Sequence, residues 1–162
     1  MLEGETEKPM SEHRLTTSVI VADADRVLVI SDETGGVLRW RLPRGIVREG
    51  ESLRAAARRG FAEEVGLPVN IGELAFVAEF LSSSRTFELH FGFVGRLPQI
   101  DIALDGRSPK PADAAEARFI PTGELRAHIR HRPLVIAIET WQDERALRYH
   151  VFDLDRIPIE ID

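Results

Sequence analysis

The 162-residue chain, 18.2 kDa in mass, suits one domain around one core. Its hydrophobic fraction of 43% is ordinary for a soluble globular protein, no apolar run approaches the ~20 residues that cross a bilayer, and the lack of cysteine excludes disulfide frameworks, thiolate zinc sites and thiol nucleophiles. A net charge of −6 argues against long nucleic acid as the main partner, because polymer binding rests on a basic surface, yet a divalent metal held by carboxylates can still carry a small polyanion.

In chain order, residues 1–14 are polar and mostly acidic and read as a flexible tail, with Met10 as an alternative start. They lack the apolar core of a signal peptide, so the expected compartment is the cytoplasm. A single domain is expected over 15–157, with 158–162 as a C-terminal tail. Thr17–Val21 and Arg26–Ser31 read as strands around a turn at Asp23-Ala24-Asp25. Asp32–Gly36 makes a second turn, and Val37–Leu42 a further extended segment ended by Pro43.

Ser52 has the chemistry of a helix N-cap, and Leu53, Ala57, Phe61 and Val65 recur at four-residue steps as the buried stripe of a helix. Gly66-Leu67-Pro68 stops it. Two strands follow near 71–80 and 86–94, with Ser82–Ser84 as their connection. Residues 95–114, rich in Pro, Gly, Asp and Ala, read as a loop. Glu116–Ile120 returns to extended structure, Pro121–Leu125 opens a helix, and Leu134, Ile138 and Trp141 share one side of another over 133–142. Residues 147–154 form a last strand or extended tail. No internal repeat and no second domain are expected. The mixture implies an α/β sandwich around a mixed sheet.

The residues that carry chemistry stand between Gly45 and Leu67. Gly45, Glu51, Arg59, Phe61, Glu63, Glu64, Gly66 and Leu67 fill eight of the nine defining positions of one pattern, G-x5-E-x7-R-E-U-x-E-E-x-G-U, and Gly60 stands where the pattern has a glutamate. This stretch resembles the Nudix box. The resemblance, taken over about Thr16 to Leu154, implies an α/β/α sandwich and hydrolysis of a nucleoside diphosphate linked to another moiety, using Mg²⁺ or Mn²⁺. It implies that Glu63 and Glu64 bind metal with the Gly45 carbonyl, that Glu51 and Arg59 form an internal ion pair, and that Glu116, ahead of Arg118-Phe119-Ile120-Pro121, is a downstream acid reaching the metal. Leu42-Pro43-Arg44-Gly45 resembles the Leu-Pro-Lys-Gly of members acting on dinucleoside polyphosphates and diphosphoinositols. Glu63, Glu64 and Glu116 are thus the expected catalytic carboxylates, Arg44 a substrate contact, and Glu51, Arg59 and Gly66 structural. The partner expected is a small nucleotide-type diphosphate, with neither long nucleic acid nor membrane; a homodimer is left open.

The chemistry is consistent with that reading. Diphosphate cleavage needs phosphate charge neutralised and a water held in line with phosphorus. Glu63 and Glu64 offer hard oxygen ligands on successive helical positions, diverging by about 100°. Position 60, one turn back, would project between them. Plainer readings stand beside each residue: an acidic pair on a helix is usually solvated, Glu51–Arg59 could be an ordinary salt bridge, Gly45 a turn glycine, Glu116 an acid beside a loop, and Arg44 a solvated cation. Trp40, Phe80, Phe87 and Phe93 could stack on a base but are more often core. His128 and His131 have no partner signature and read as surface or partly buried.

Gly60 is the departure. Loss of a catalytic base commonly costs on the order of 10²–10⁴ in rate. Three outcomes compete: another carboxylate (Glu116, Glu79 or Glu88) is recruited, the hydrolase is slow, or the domain binds nucleotide without turnover.

Overall fold

The computed structural model describes residues 13–34, 36–83, 87–98 and 116–156. The expected tails, apart from His13 and Arg14, and the alternative start at Met10 fall outside these residues, as do Ser84 and the loop from residue 99 onward. Strands are β1 (His13–Ile20), β2 (Ala22–Asp23), β3 (Arg26–Thr34), β4 (Val37–Arg41), β5 (Arg44–Ile46), β6 (Asn70–Leu81), β7 (Phe87–Arg96), β8 (Ala117–Pro121) and β9 (Arg148–Asp153). Helices are α1 (Leu53–Val65), α2 (Leu125–His128, entered through a 3-10 turn at Thr122–Glu124) and α3 (Arg132–Glu144).

Five strands build a mixed sheet in the order β5-β1-β7-β6-β9. β1 runs parallel to β7 and β9 parallel to β6, while β5 joins β1, and β6 joins β7, antiparallel. A second, antiparallel sheet is centred on β3, which pairs with β2, β4 and β8. The architecture is the expected α/β/α sandwich with a mixed sheet, joined here by a second sheet.

Burial explains the layers. Val27–Ile30 in β3 is an unbroken apolar run with every residue at 0% exposure, as a strand covered on both faces requires. Val27 and Val29 enter one cluster with Ile20, Phe76, Phe80, Val94 and the α3 residues Leu134, Ile138 and Trp141. Leu28 and Ile30 enter the other with Val19, Phe93 and the α1 residues Ala57, Phe61 and Val65. Full burial of Phe61 alone contributes about 1.5–3 kcal/mol.

α1 begins and ends as its sequence dictates. The Ser52 hydroxyl accepts the Ala55 N–H at 3.1 Å. Gly66 stands at φ 77, a left-handed stop that glycine adopts without a Cβ penalty, and donates its N–H to the Ala62 carbonyl. α3 has the expected face and ends at Arg145, also left-handed.

Several boundaries differ from the expectations. The first strand starts at His13, ahead of Thr17, carried by its pairing to Phe87. Asp23, expected in a turn, pairs with Arg26 in β2. Arg44–Ile46, expected as loop, is a strand. Phe80 and Phe93 are core; Phe87 is half-buried, edge-on to His13; Trp40 is half-buried beneath the Arg118 guanidinium, 5.1 Å from its ring centre. Among the described residues no helix is long and apolar enough to cross a membrane.

Candidate active site

β5 lies across the middle of α1, and two glycines set that crossing. A Cβ on Gly45 would stand 3.1 Å from the Ala56 carbonyl carbon and closer to its oxygen. A Cβ on Gly60 would stand 2.6 Å from the Gly45 Cα and closer to the Arg44 carbonyl oxygen. Glycine at both positions lets strand and helix backbones touch. Position 60 therefore does not project into open space between Glu63 and Glu64, as helical spacing alone suggested. It is buried, and the backbone of Arg44–Gly45 fills the corner.

Glu64 stands against that strand. Its Oε1 accepts the Arg44 backbone N–H at 2.6 Å and Arg41 Nη1 at 3.0 Å, and its Oε2 accepts Arg41 Nη2. Arg41 Nε also reaches Asp32 at 3.3 Å. Glu63, 55% exposed, accepts from Arg59 at 3.2 Å and lies 3.8 Å from Arg48. The Gly45 carbonyl takes the Thr17 hydroxyl at 3.1 Å.

Arg59 ties loop to helix. It donates twice to Glu51, at 2.8 Å each, and at 2.8 Å to the Ile46 carbonyl. The Arg59 guanidinium holds the Glu51 carboxyl down at about 2, and Glu51 in turn raises Arg59. Arg44 is different: among the described residues its guanidinium has no carboxylate partner, unlike Arg41, Arg48 and Arg59. Although Arg44 is exposed overall, desolvation around its guanidinium, then the nearby Arg41, lowers its pKa. An arginine so placed attracts an anion.

The other expected residues have partners of their own. Glu116 pairs with Arg118 at 2.8 Å, and its backbone N–H donates to Ser31. Glu79 faces Tyr149 on β9, whose hydroxyl it holds above its ordinary pKa. Glu88 lies 3.5 Å from His90, which is hydrogen-bonded to Ser18; burial works against its charge, but His90, Thr16 and Arg14 hold its pKa below the ordinary value. His128 meets the Glu124 carbonyl, and His131 sits edge-on to Phe80. Among the described residues no three His, Asp or Glu side chains converge tightly enough to hold a metal by themselves. The oxygens of Glu63, Glu64 and Gly45 are nonetheless the hard donors that Mg²⁺ and Mn²⁺ prefer.

Sequence reasoning missed Arg41, Asp32 and Thr17. Arg41 lies two residues before Pro43, and only the pairing of β4 with β3 brings it near Asp32. No local pattern carries that information.

The family model for the NUDIX domain matches residues 12–138. The chain belongs to the Nudix family. It is 37% identical over 86 residues to a protein of Mus musculus named oxidized purine nucleoside triphosphate hydrolase, a match spanning 50% of this chain and 54% of the mouse protein. A Danio rerio protein of the same name is 31% identical over 114 residues, covering 67% of this chain and 65% of its own length. The chain thus spans between half and two thirds of these relatives. Among solved structures, a NUDIX hydrolase from Nitrosomonas europaea superposes with a TM-score of 0.69 at 22% identity, over 91% of this chain and 97% of that one, a likeness of fold.

Proposed function

We propose that this Nudix protein is a metal-dependent pyrophosphohydrolase that cleaves the diphosphate bond of nucleoside diphosphates linked to a second moiety. The observation that carries this reading is the hydrogen bond from the Arg44 N–H to the Glu64 carboxylate, which sets the acidic pair of α1 against the strand that begins the box. Glu63 and Glu64, with the Gly45 carbonyl and, after a swing away from Arg118, Glu116, would hold Mg²⁺ or Mn²⁺. When bound, the ion neutralises phosphate charge. Arg44 pairs with a phosphate oxygen, and Arg59 keeps the loop and helix in register. The base that activates water is unassigned, because the backbone occupies the corner at Gly60. The names of the mouse and zebrafish relatives put purine nucleoside triphosphates first among substrates to try. Cytoplasmic residence belongs to the same reading.

A second reading keeps the fold and drops the turnover: a nucleotide-binding regulatory domain. It is favoured by Gly60 and by the arginine partner found on each acid of the box. The two separate in a nucleotide screen with Mg²⁺ and Mn²⁺. The hydrolase releases phosphate or nucleotide, and Glu64→Gln abolishes that release while the variant stays folded. Unchanged turnover in Glu64→Gln rejects the site, and a raised melting temperature without product favours the binding domain.

A further inference from the structure

Arg41 ends β4 and is 19% exposed. All three of its guanidinium nitrogens are engaged. Nε donates to Asp32, Nη1 to Glu64 and the Leu42 carbonyl, and Nη2 to the second Glu64 oxygen. Glu64, 21% exposed, accepts three hydrogen bonds in turn, two from this fork and one from the Arg44 N–H. One cation therefore bridges a carboxylate of the box helix and a carboxylate of β3. Burial opposes its charge, while the hydrogen bonds and charges of Glu64 and Asp32 favour it and leave its pKa above the ordinary value.

We propose that Arg41 is the resident cation of this site. Its guanidinium lies between Glu64 and Asp32 and engages both Glu64 oxygens, so Glu64 would accept a divalent ion only after an arriving diphosphate draws the guanidinium away. The inference rests on the assignment of Glu64 as a metal ligand. A guanidinium forks onto phosphate as well as onto carboxylate, so a diphosphate offers Arg41 an equivalent partner. Arg44, beside it and without a carboxylate partner among the described residues, draws the anion there first. Freed of the fork, Glu64 regains its affinity for a hard cation. Ion and diphosphate then favour each other's binding, and the coupling is reciprocal.

The test is Mn²⁺ binding to the full chain, followed by electron paramagnetic resonance with no phosphate present. Wild type is expected to bind weakly, Arg41→Gln at least tenfold more tightly, and the double variant Arg41→Gln/Glu64→Gln weakly again. Methylenediphosphonate, after correction for its own Mn²⁺ binding, is expected to raise the affinity of wild type far more than that of Arg41→Gln. Equal phosphate-free affinity of wild type and Arg41→Gln overturns the role of Arg41 alone. Tight binding that survives in the double variant removes Glu64 as a ligand and takes the proposed hydrolase site with it. A second measurement does not depend on the Gln variant folding. The Arg41 Nε–H resonance of wild type, assigned with Arg41→Lys, should shift with methylenediphosphonate and stay fixed with Mg²⁺ alone. A shift with Mg²⁺ alone overturns the proposal.

Discussion

Gly60 of α1 and Gly45 of β5 meet backbone to backbone, so closely that a Cβ on Gly60 would lie 2.6 Å from the Gly45 Cα. The box glycine and the glycine that departs from the box are one packing unit. Restoring a glutamate at position 60 therefore forces strand and helix apart. Overpacking of this kind typically costs 1–3 kcal/mol, roughly, with about 2–4 °C of melting temperature lost per kcal/mol in a domain of this size. Gly60→Ala is expected to lower the melting temperature by several degrees, and Gly60→Glu by more, without a gain in hydrolysis. Thermal unfolding checks both variants, and Gly60→Ala as stable as wild type would show that the crossing relaxes freely.

The Glu51 carboxyl, held at about 2 by Arg59 against an ordinary 4.5, makes part of the stability depend on pH. A depressed carboxylate contributes fully above its unfolded value and loses that contribution as pH falls from there toward the folded one. The stability gap between wild type and Glu51→Gln, measured by urea unfolding, should hold from pH 7 to about pH 5 and close toward pH 2. A gap that widens on acidification would contradict the ion pair.

Ser52→Ala removes the acceptor of the Ala55 N–H at the start of α1. The expected cost is about 1 kcal/mol in denaturant unfolding, the usual loss of an N-cap. Ser52→Asp should keep most of that stability, because its carboxylate caps the same N–H and favours the positive end of the helix.

Arg44→Ala should leave the fold unchanged, since its side chain has no carboxylate partner among the described residues. Loss of a charge-assisted contact to phosphate is expected to weaken diphosphate binding about tenfold, from roughly 1.5 kcal/mol. In a hydrolysis assay that appears as a raised KM with kcat held, and an unchanged KM would make Arg44 a bystander.

Local pattern carried α1 almost whole. The Ser52 cap, the four-residue stripe ending at Val65 and the Gly66 stop are short-range features, and each is settled within one turn of chain. Strands β3, β6 and β7 were legible from their apolar runs. β5 was not, because three residues that include a glycine and a flanking proline look like loop; they become a strand only through pairing with Thr16–Ser18. The split into two sheets was hidden for the same reason, since β8 joins β3 across about ninety residues of sequence. In the site, the Glu51–Arg59 pair and the acids of the box were legible through the resemblance to the Nudix box. The bridge from Arg41 to Asp32 and Glu64 does not, because it unites three elements that meet only in the folded domain.

The parallel pairing of β1 with β7 joins residues 74 positions apart, from His13 with Phe87 to Ile20 with Val94. Contacts of such long sequence separation are slow to form, because closing so long a loop costs entropy before any contact repays it. During synthesis, α1 and the β3–β4 hairpin can organise while β1, already outside the ribosome, lacks its central neighbour. Val19 and Ile20 then wait with their apolar faces uncovered until β7 emerges. That interval is when a nascent chain of this topology is open to aggregation and to capture by chaperones.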